Sequence, residues 1–427
     1  MKILILGATG FIGSEIARRL AADGHAVTGL GRTTASARRK FAFAEWVTAD
    51  LSHMTQPANW HLLLGRHDAV VNCAGALQDG LSDDLAATQE KAMRALYQAN
   101  ADDGNRLIVQ ISARTTGSAA ETPFLSTKQR ADDALAASGV PHIILRPALV
   151  IGRNAHGGTA LLRALASIPC LIPLVHSQSP VQTVALDDVT EAVSQAIRGE
   201  IAPGSDLHLA ADQLLTLGNL VGMHRQWLGL AEAKTISLPV WLAKPVSWAA
   251  DLAGSLGWRS PLRSTAMAVM SQGVTADGAR MQGFAFKTAS QTLAGNPSGV
   301  QDLWFARLFL LKPVSIVCLS VFWLLSGVIP LLDLTRASSH FLPFMPETSA
   351  LVLTVATCLI DIALGIAVLL RPYALKAMLG MLLVTASYLA GGTMLEPALW
   401  LDPLGPLVKV LPSITLTLAA MAILDER

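Results

Sequence analysis

The chain predicts an α/β protein: a doubly wound parallel sheet with a small second lobe, followed by an all-α transmembrane four-helix bundle. Three observations carry this. A short apolar strand at residues 3–6 runs directly into glycines at positions 7, 10 and 13. Strand-like apolar segments then alternate with helical ones as far as residue 112, the pattern of a parallel sheet with crossover helices. Beyond residue 308 the sequence turns into long apolar runs of membrane-spanning length.

Composition agrees. Of 427 residues, 52% are hydrophobic and only 15% charged, and the mean hydropathy is +0.45. Such length accommodates two or three domains. With 32 basic and 31 acidic residues the formal net charge is +1, which gives no electrostatic footprint for nucleic acid. Cys73, Cys170, Cys318 and Cys358 form no CxxC pair and read as small hydrophobes rather than a disulfide framework or a zinc site; no metal site is expected. No cleavable signal peptide is visible, so the amino-terminal domain is expected on the cytoplasmic side.

The glycine loop dictates the chemistry of the first half. Gly7, Thr9, Gly10, Phe11, Ile12 and Gly13 form a candidate phosphate-binding turn. Its glycines permit a tight turn, a close approach of backbone to a pyrophosphate and close packing of the next helix, expected over 14–22 with its N-terminal N–H groups toward the phosphates. The second strand, 25–30, ends in Gly31-Arg32-Thr33. An acidic residue there would select the ribose hydroxyl of NAD; Arg32 suits a 2′-phosphate, so NADP is preferred and NAD possible. The third strand, 47–51, ends at Asp50 and Leu51, where Asp50 either contacts an adenine amino group or caps a turn. The fourth, 68–73, leads into Cys73-Ala74-Gly75, a small-residue loop able to lie against a cofactor. A crossover helix over 81–100 and a fifth strand over 106–112 complete this half.

The ordered set of glycine loop, Asp50-Leu51, Asn72 to Gly75, Ser112 and Lys128 resembles an atypical short-chain dehydrogenase/reductase with a Rossmann-type domain, over roughly residues 1–300. The later RPALVIG and VQTVALDDVTEAV stretches resemble the branch that includes the nucleotide-binding accessory subunit of respiratory complex I. The resemblance implies that Ser112 polarises a substrate oxygen and that Lys128 holds the nicotinamide ribose. It also implies a tyrosine four residues before the lysine, where this chain has Phe124, which has no exchangeable proton. The helix carrying Lys128 is expected over 127–137 and the sixth strand over 139–145. Arg146 and Pro147 then turn the chain where the family closes the cofactor pocket.

The substrate lobe is expected mainly from 147 onward. His156 reads as an ordinary loop histidine rather than a substrate contact. The apolar stretch 161–174 either lines a hydrophobic or quinone pocket or packs the lobe. Asp187 and Asp188 read as helix caps, 206–210 as a late strand and Thr216 as a helix start. Over 237–258, Trp241 and Trp248 share a helical face if Pro245 only kinks the helix. Such a helix suits a membrane interface, but the resemblance places helices here and favours packing on the lobe. Residues 290–299 are expected to be a linker, giving domains 1–300 and 301–427.

In the second domain, spans are expected over 313–332, 350–370, 377–394 and 405–424. Arg307, Lys312, Arg371, Lys376 and Arg427 fall on one side, Arg336 and Lys409 on the other. Basic excess marks the cytoplasmic side, so the chain is expected in the cytoplasmic (inner) membrane with both termini inside. By span count and length this block resembles the DoxX-like family of small membrane proteins, linked to respiratory or thiol-redox systems. Asp361 falls mid-span and should face the bundle interior, with Lys409 one possible partner.

Two functions follow. The main one is a membrane-anchored NAD(P)H-binding protein, a redox sensor or scaffold of a membrane redox assembly, in which Phe124 is expected to leave ordinary carbonyl reduction absent or very slow. The alternative is an NAD(P)H-dependent oxidoreductase or epimerase acting on a lipophilic substrate such as a quinone or isoprenoid. Membrane lipid is the certain partner; a quinone, a redox complex or a second copy of the chain are further candidates.

Overall fold

The computed structural model describes every residue except 76–79, 81–83, 116–117, 404 and 426–427. The predicted start of the crossover helix at Leu81, and Arg427, lie outside the described residues. By its contacts the chain forms two compact units: Met1–Gly254 with Ser260–Ala306, and Ser255–Arg259 with Arg307–Arg427.

The first unit is built on a seven-stranded sheet. Its strands are β1 (Lys2–Leu6), β2 (Ala26–Gly31), β3 (Glu45–Thr48), β4 (Ala69–Asn72), β5 (Leu107–Ile111), β6 (His142–Pro147) and an edge strand, Ser205–Leu209. All pairs are parallel, in the order β3-β2-β1-β4-β5-β6-edge. The order reverses at β1, where Leu6 pairs with Leu30 on one side and Asn72 on the other. In open α/β sheets the ligand crevice lies at the carboxyl end of this switch point. Ile3, Leu4, Ile5 and Leu6 are wholly buried, alternately contributing to the apolar layers on the two faces. That is the continuous apolar run a strand covered on both sides requires.

Several elements differ in extent from expectation. Helix α1 begins at Phe11, because Gly10 is already its N-cap, so Phe11, Ile12 and Gly13 form its first turn. β3 ends at Thr48, and Asp50 lies beyond it, accepting from the Ser52 N–H (3.0 Å) and hydroxyl (2.8 Å) at the start of a short turn of helix. The capping alternative for Asp50 is thus the observed arrangement. The helix expected from residue 127 runs Pro123–Ala137, since Pro123 can occupy the first helical position. Arg146 and Pro147 extend β6 rather than turning after it.

The lobe packs the helices Gly158–Ala166, Leu217–Trp227 and Ala289–Ala294 around Leu162, Ile172, Leu220 and Leu293. The 161–174 stretch therefore packs the lobe, and Thr216 starts its helix through a capping box with Asn219. Asp187 and Asp188 are not caps: Ala185 precedes the helix, and the buried Asp188 carboxylate accepts from the Lys287 N–H at 2.7 Å. Nor is 290–299 all linker, because Thr288 and Gln291 cap the short helix Ala289–Ala294, whose Ala289 and Leu293 are in the core.

The second unit is an apolar helical bundle. Three helices are long and apolar enough to cross a membrane, Val300–Leu331, Glu347–Ala367 and Ala374–Leu395, among the described residues. The fourth, Leu411–Ala422, has only 12 residues because Pro412 and the turn at Val408–Val410 leave it a late start. Gly327 and Gly365 let the first two helices touch: a Cβ at Gly327 would lie 2.5 Å from the Cys358 carbonyl oxygen, and one at Gly365 2.9 Å from the Leu324 nitrogen. Buried Asp361 accepts from Ser326 and Tyr388 hydroxyls, both at 2.8 Å, not from Lys409, whose side chain is exposed.

Candidate functional site

At the carboxyl end of β1 the backbone is too close to itself for side chains. Gly7 has φ +71°, and a Cβ there would lie 2.9 Å from the Ala74 backbone. At Gly13 a Cβ would lie 2.3 Å from the Gly7 carbonyl oxygen. The Gly10 N–H closes the turn on that same oxygen at 2.9 Å. Thr9 lies beside Gly31, whose added Cβ would meet the Thr9 methyl at 3.3 Å. The result is a glycine-walled concavity at the amino end of α1, bounded by the loops after β1, β2 and β4, and it fits a dinucleotide pyrophosphate. Arg32 is exposed just past β2. Burial would raise the Asp50 carboxyl, but the Ser52 hydrogen bonds and the charge of Arg32 hold it below its ordinary range. Leu51 is buried beneath it. His156 packs against Phe11, ring centroids 6.5 Å apart.

Beyond β4, Asn72 ties strand to loop: its amide donates to Gln110 at 2.8 Å and its oxygen accepts from the Ala74 N–H at 2.9 Å. Burial pushes the Cys73 thiol up to about 12 despite nearby Lys128, so it is not a nucleophile at neutral pH. An added Cβ at Gly75 would come within 3.6 Å of Lys128 Nζ, which joins this loop to the helix Pro123–Ala137.

That helix brings Phe124, Lys128 and Asp132 onto one stripe at four-residue spacing. Lys128 is buried; its Nζ donates to the Ile111 carbonyl at 3.2 Å and lies 5.9 Å from the Phe124 ring centre. Burial lowers its pKa, more than the neighbouring Asp132 raises it. Ser112 follows β5, its N–H bound to the Leu145 carbonyl, and its hydroxyl donates to Asp132 Oδ2 at 2.5 Å. Arg146 also reaches Asp132, at 2.8 Å, and grips Asp206 with two parallel bonds of 2.7 and 2.8 Å. Its remaining contacts go to the Ala113 carbonyl and to the Ser112 and Thr115 hydroxyls. Burial raises the Asp132 pKa, more than Arg146, Ser112 and Lys128 lower it.

The close approaches of Gly13 to Gly7, of Gly7 to Ala74 and of Gly75 to Lys128 bring the glycine loop, the loop after β4 and Lys128 next to one another. Arg146 enters differently from the expectation: its guanidinium is spent on protein groups, so it braces the Ser112–Thr115 segment from behind. Sequence reasoning missed Asp132, Asp206 and Thr115. Asp132 had a signal, since it lies one helical turn after Lys128; Asp206 had none, because only the sheet order brings it beside Arg146.

An NAD(P)H-binding family model matches residues 7–167, and a DoxX-like family model matches residues 320–418. The class is thereby an NAD(P)-binding Rossmann domain. In this chain it is fused to a carboxy-terminal DoxX-like membrane domain. Uncharacterized proteins of Mycobacterium bovis and Mycobacterium tuberculosis are 26% identical over 218 residues, 51% of this chain. The match spans only 22% of those relatives' length. Solved structures of similar form include the Bordetella bronchiseptica enzyme WbmH with NAD+, at 21% identity and TM-score 0.47, over 56% of this chain and 85% of that one. Another is dTDP-glucose 4,6-dehydratase of Bacillus anthracis with NAD, at 16% identity and TM-score 0.47, over 56% and 85%. No link to the complex I subunit emerges, so that part of the resemblance gives way to an NAD(P)-binding Rossmann domain in general.

Proposed function

We propose that this chain is a membrane-anchored NAD(P)H-dependent oxidoreductase, or an epimerase using the same hydride chemistry, acting on a lipophilic substrate such as a quinone or isoprenoid. The observation that carries the reading is the buried Lys128, Asp132 and Arg146 around the Ser112 hydroxyl. Cofactor binding needs the glycines and a helix N-terminus; it does not need three buried ionisable groups, which are costly to desolvate. Gly7, Thr9, Gly10, Phe11, Ile12 and Gly13 would hold the pyrophosphate, Asp50 and Leu51 the adenine, and Cys73, Ala74 and Gly75 the inner wall. Arg32, with no acidic residue at the end of β2, supports NADP over NAD. When bound, the nicotinamide supplies or accepts the hydride.

The chain's own residues then handle the ribose and the proton. Lys128 holds the nicotinamide ribose. In a reduction, the Ser112 hydroxyl relays a proton from solvent to the substrate oxygen, oriented by the Asp132 carboxylate that accepts from it. Arg146 keeps both at the right distance. This route replaces the tyrosine absent at Phe124. The orientation we propose puts both termini in the cytoplasm of an inner membrane. It is supported within the membrane unit, where Lys312 Nζ donates to the Leu424 carbonyl at 2.8 Å and Arg371 approaches the same oxygen at 3.4 Å. The carboxy-terminal helix therefore returns to the basic end of the bundle.

The test is NADPH oxidation by the full-length protein in detergent across quinones, isoprenoid aldehydes and alcohols. Turnover that Asp132→Asn lowers about 100-fold, with NADPH binding intact, supports the reading. Tight binding with no turnover of any acceptor by wild type overturns it and restores the sensor or scaffold reading, which has Phe124 in its favour. Arg32→Ala should weaken NADPH about tenfold and leave NADH unchanged; equal losses would remove the cofactor preference.

A further inference from the structure

The helix Val240–Ser255 is built inside out. A surface helix of a water-soluble domain turns its bulky apolar side to the core and its polar side to solvent. Here the buried positions are Ser247, Ala250 and Gly254, all small and spaced along one face. The outward face carries Trp241 (65% exposed), Leu242, Val246 and Trp248 (68% exposed). Pro245 lies within the helix between them. Trp241, Pro245 and Trp248 follow at spacings of four and three, so the tryptophans share one stripe. Elsewhere in the same unit Leu62, Leu171 and Leu214 are exposed singly, as on any protein surface, and the exposed Val300, Trp304 and Phe305 belong to the start of the first membrane helix.

We infer that this helix lies in the headgroup layer of the bilayer, with the Trp241–Trp248 stripe among the lipid chains' upper segments. The occupant is lipid rather than another protein for three reasons on this chain. Three of its later helices are long and apolar enough to cross a membrane, which brings a bilayer within reach of the same molecule. The residues that follow the helix directly, Leu256–Arg259, pack within the membrane unit: the Trp258 indole donates to the Leu369 carbonyl at 2.6 Å, and the Arg371 N–H to the Leu256 carbonyl. The composition of the stripe is that of an interfacial anchor, two tryptophans with aliphatic neighbours and the single exposed cation Lys244, whose long side chain can reach phosphate. The helix's own acid, Asp251, is turned aside into an ion pair with Arg263 at 3.1 Å. With 16 residues, an internal proline and a face committed to protein, the helix rests on the membrane and does not cross it.

The experiment uses full-length protein in vesicles of phosphatidylcholine and phosphatidylglycerol, with acyl chains brominated either near the headgroup or near the chain end. The difference in emission between wild type and Trp241→Phe/Trp248→Phe isolates these two rings. We expect shallow bromine to quench that difference at least about twofold and deep bromine much less, with aqueous iodide ineffective. Quenching by iodide but not by lipid bromine overturns the inference, and so does shielding from both, which would mean a protein cover. Should the double variant fold poorly, a spin label at Ala249→Cys, with Cys170 and Cys318 replaced by Ser, gives the same answer. Greater access to oxygen than to a water-soluble nickel complex supports the inference, and the reverse overturns it.

Discussion

Asp132 in the nucleotide unit and Asp361 in the membrane unit are both buried carboxylates, and they are held in opposite ways. Asp132 is balanced by a cation: Arg146 bridges it to Asp206, so one guanidinium links the helix Pro123–Ala137, β6 and the edge strand. Asp361 is held by hydroxyls alone, from Ser326 on the first membrane helix and Tyr388 on the third, with no basic side chain on it among the described residues. The first arrangement concentrates charge beside the Ser112 hydroxyl and depends on every member being present. The second is a strap between helices, and each bond in it is a small, separable contribution.

The comparison is broken most severely at Arg146. Arg146→Met leaves Asp132 buried without its cation and should cost the nucleotide unit about 3 kcal/mol, toward the low end for a broken buried pair because half-exposed Asp206 can rehydrate. Denaturant unfolding followed by loss of NADPH binding measures this, and the far-ultraviolet signal of the membrane helices should persist past that transition. A loss below about 1 kcal/mol would mean that the clamp does not hold Asp132.

Acid should separate the two units next. Burial lowers His224 to about 4, and its Nε2 has no hydrogen-bond partner among the described residues, so the folded unit keeps it neutral. A depressed pKa contributes stability that is complete above the unfolded value near 6.5 and disappears as pH falls through about 4. Between those limits the nucleotide unit should lose on the order of 3 kcal/mol. Hydrogen exchange in the helix Leu217–Trp227 of the full-length protein at pH 7 and 4.5 reads it, and His224→Phe should flatten the dependence.

The smallest effects belong to the membrane strap. Asp361→Leu strands the Ser326 and Tyr388 hydroxyls and should cost about 1–3 kcal/mol, whereas Asp361→Asn keeps one acceptor contact through its carbonyl oxygen and offers its amide N–H to the other hydroxyl oxygen, and should cost under about 1 kcal/mol. Tyr388→Phe should match the latter within a few tenths of a kcal/mol. Steric-trap or detergent-denaturation measurements on the bundle can rank them. A large loss for Asn would mean that the negative charge itself is structural.

How much of this was legible in the sequence follows the range of the interactions. Glycines at 7, 10 and 13 announce a site because their spacing is local and the backbone approach they permit is demanded within one turn. Strands read well where both faces are covered, as in β1 and β4. Lys128 was visible, but its helix began at Pro123, four residues earlier than its apolar pattern suggested, because proline at the first helical position carries no apolar signal. Asp206 was legible as part of a strand and not as the partner of Arg146, since that contact depends on which strand closes the sheet. The outward tryptophans of Val240–Ser255 were visible as a stripe, yet spacing alone does not say which face of a helix meets water. Helix length in the bundle was overestimated once, at 405–424, where hydropathy continues through residues that Pro412 and the preceding turns remove from the helix.

That short last helix sets a condition on the surrounding lipid. Twelve residues rise about 18 Å, against a hydrocarbon layer of about 30 Å. Its end is nonetheless pinned to the same Leu424 carbonyl that Lys312 and Arg371 approach. The deficit must be met on the opposite side, where Pro397–Trp400 and Val408–Val410 form short turns of helix rather than a regular span. Lipid beside that flank has to thin or the turns have to be sheltered by a neighbour, and either way the molecule is matched to membranes of a particular thickness.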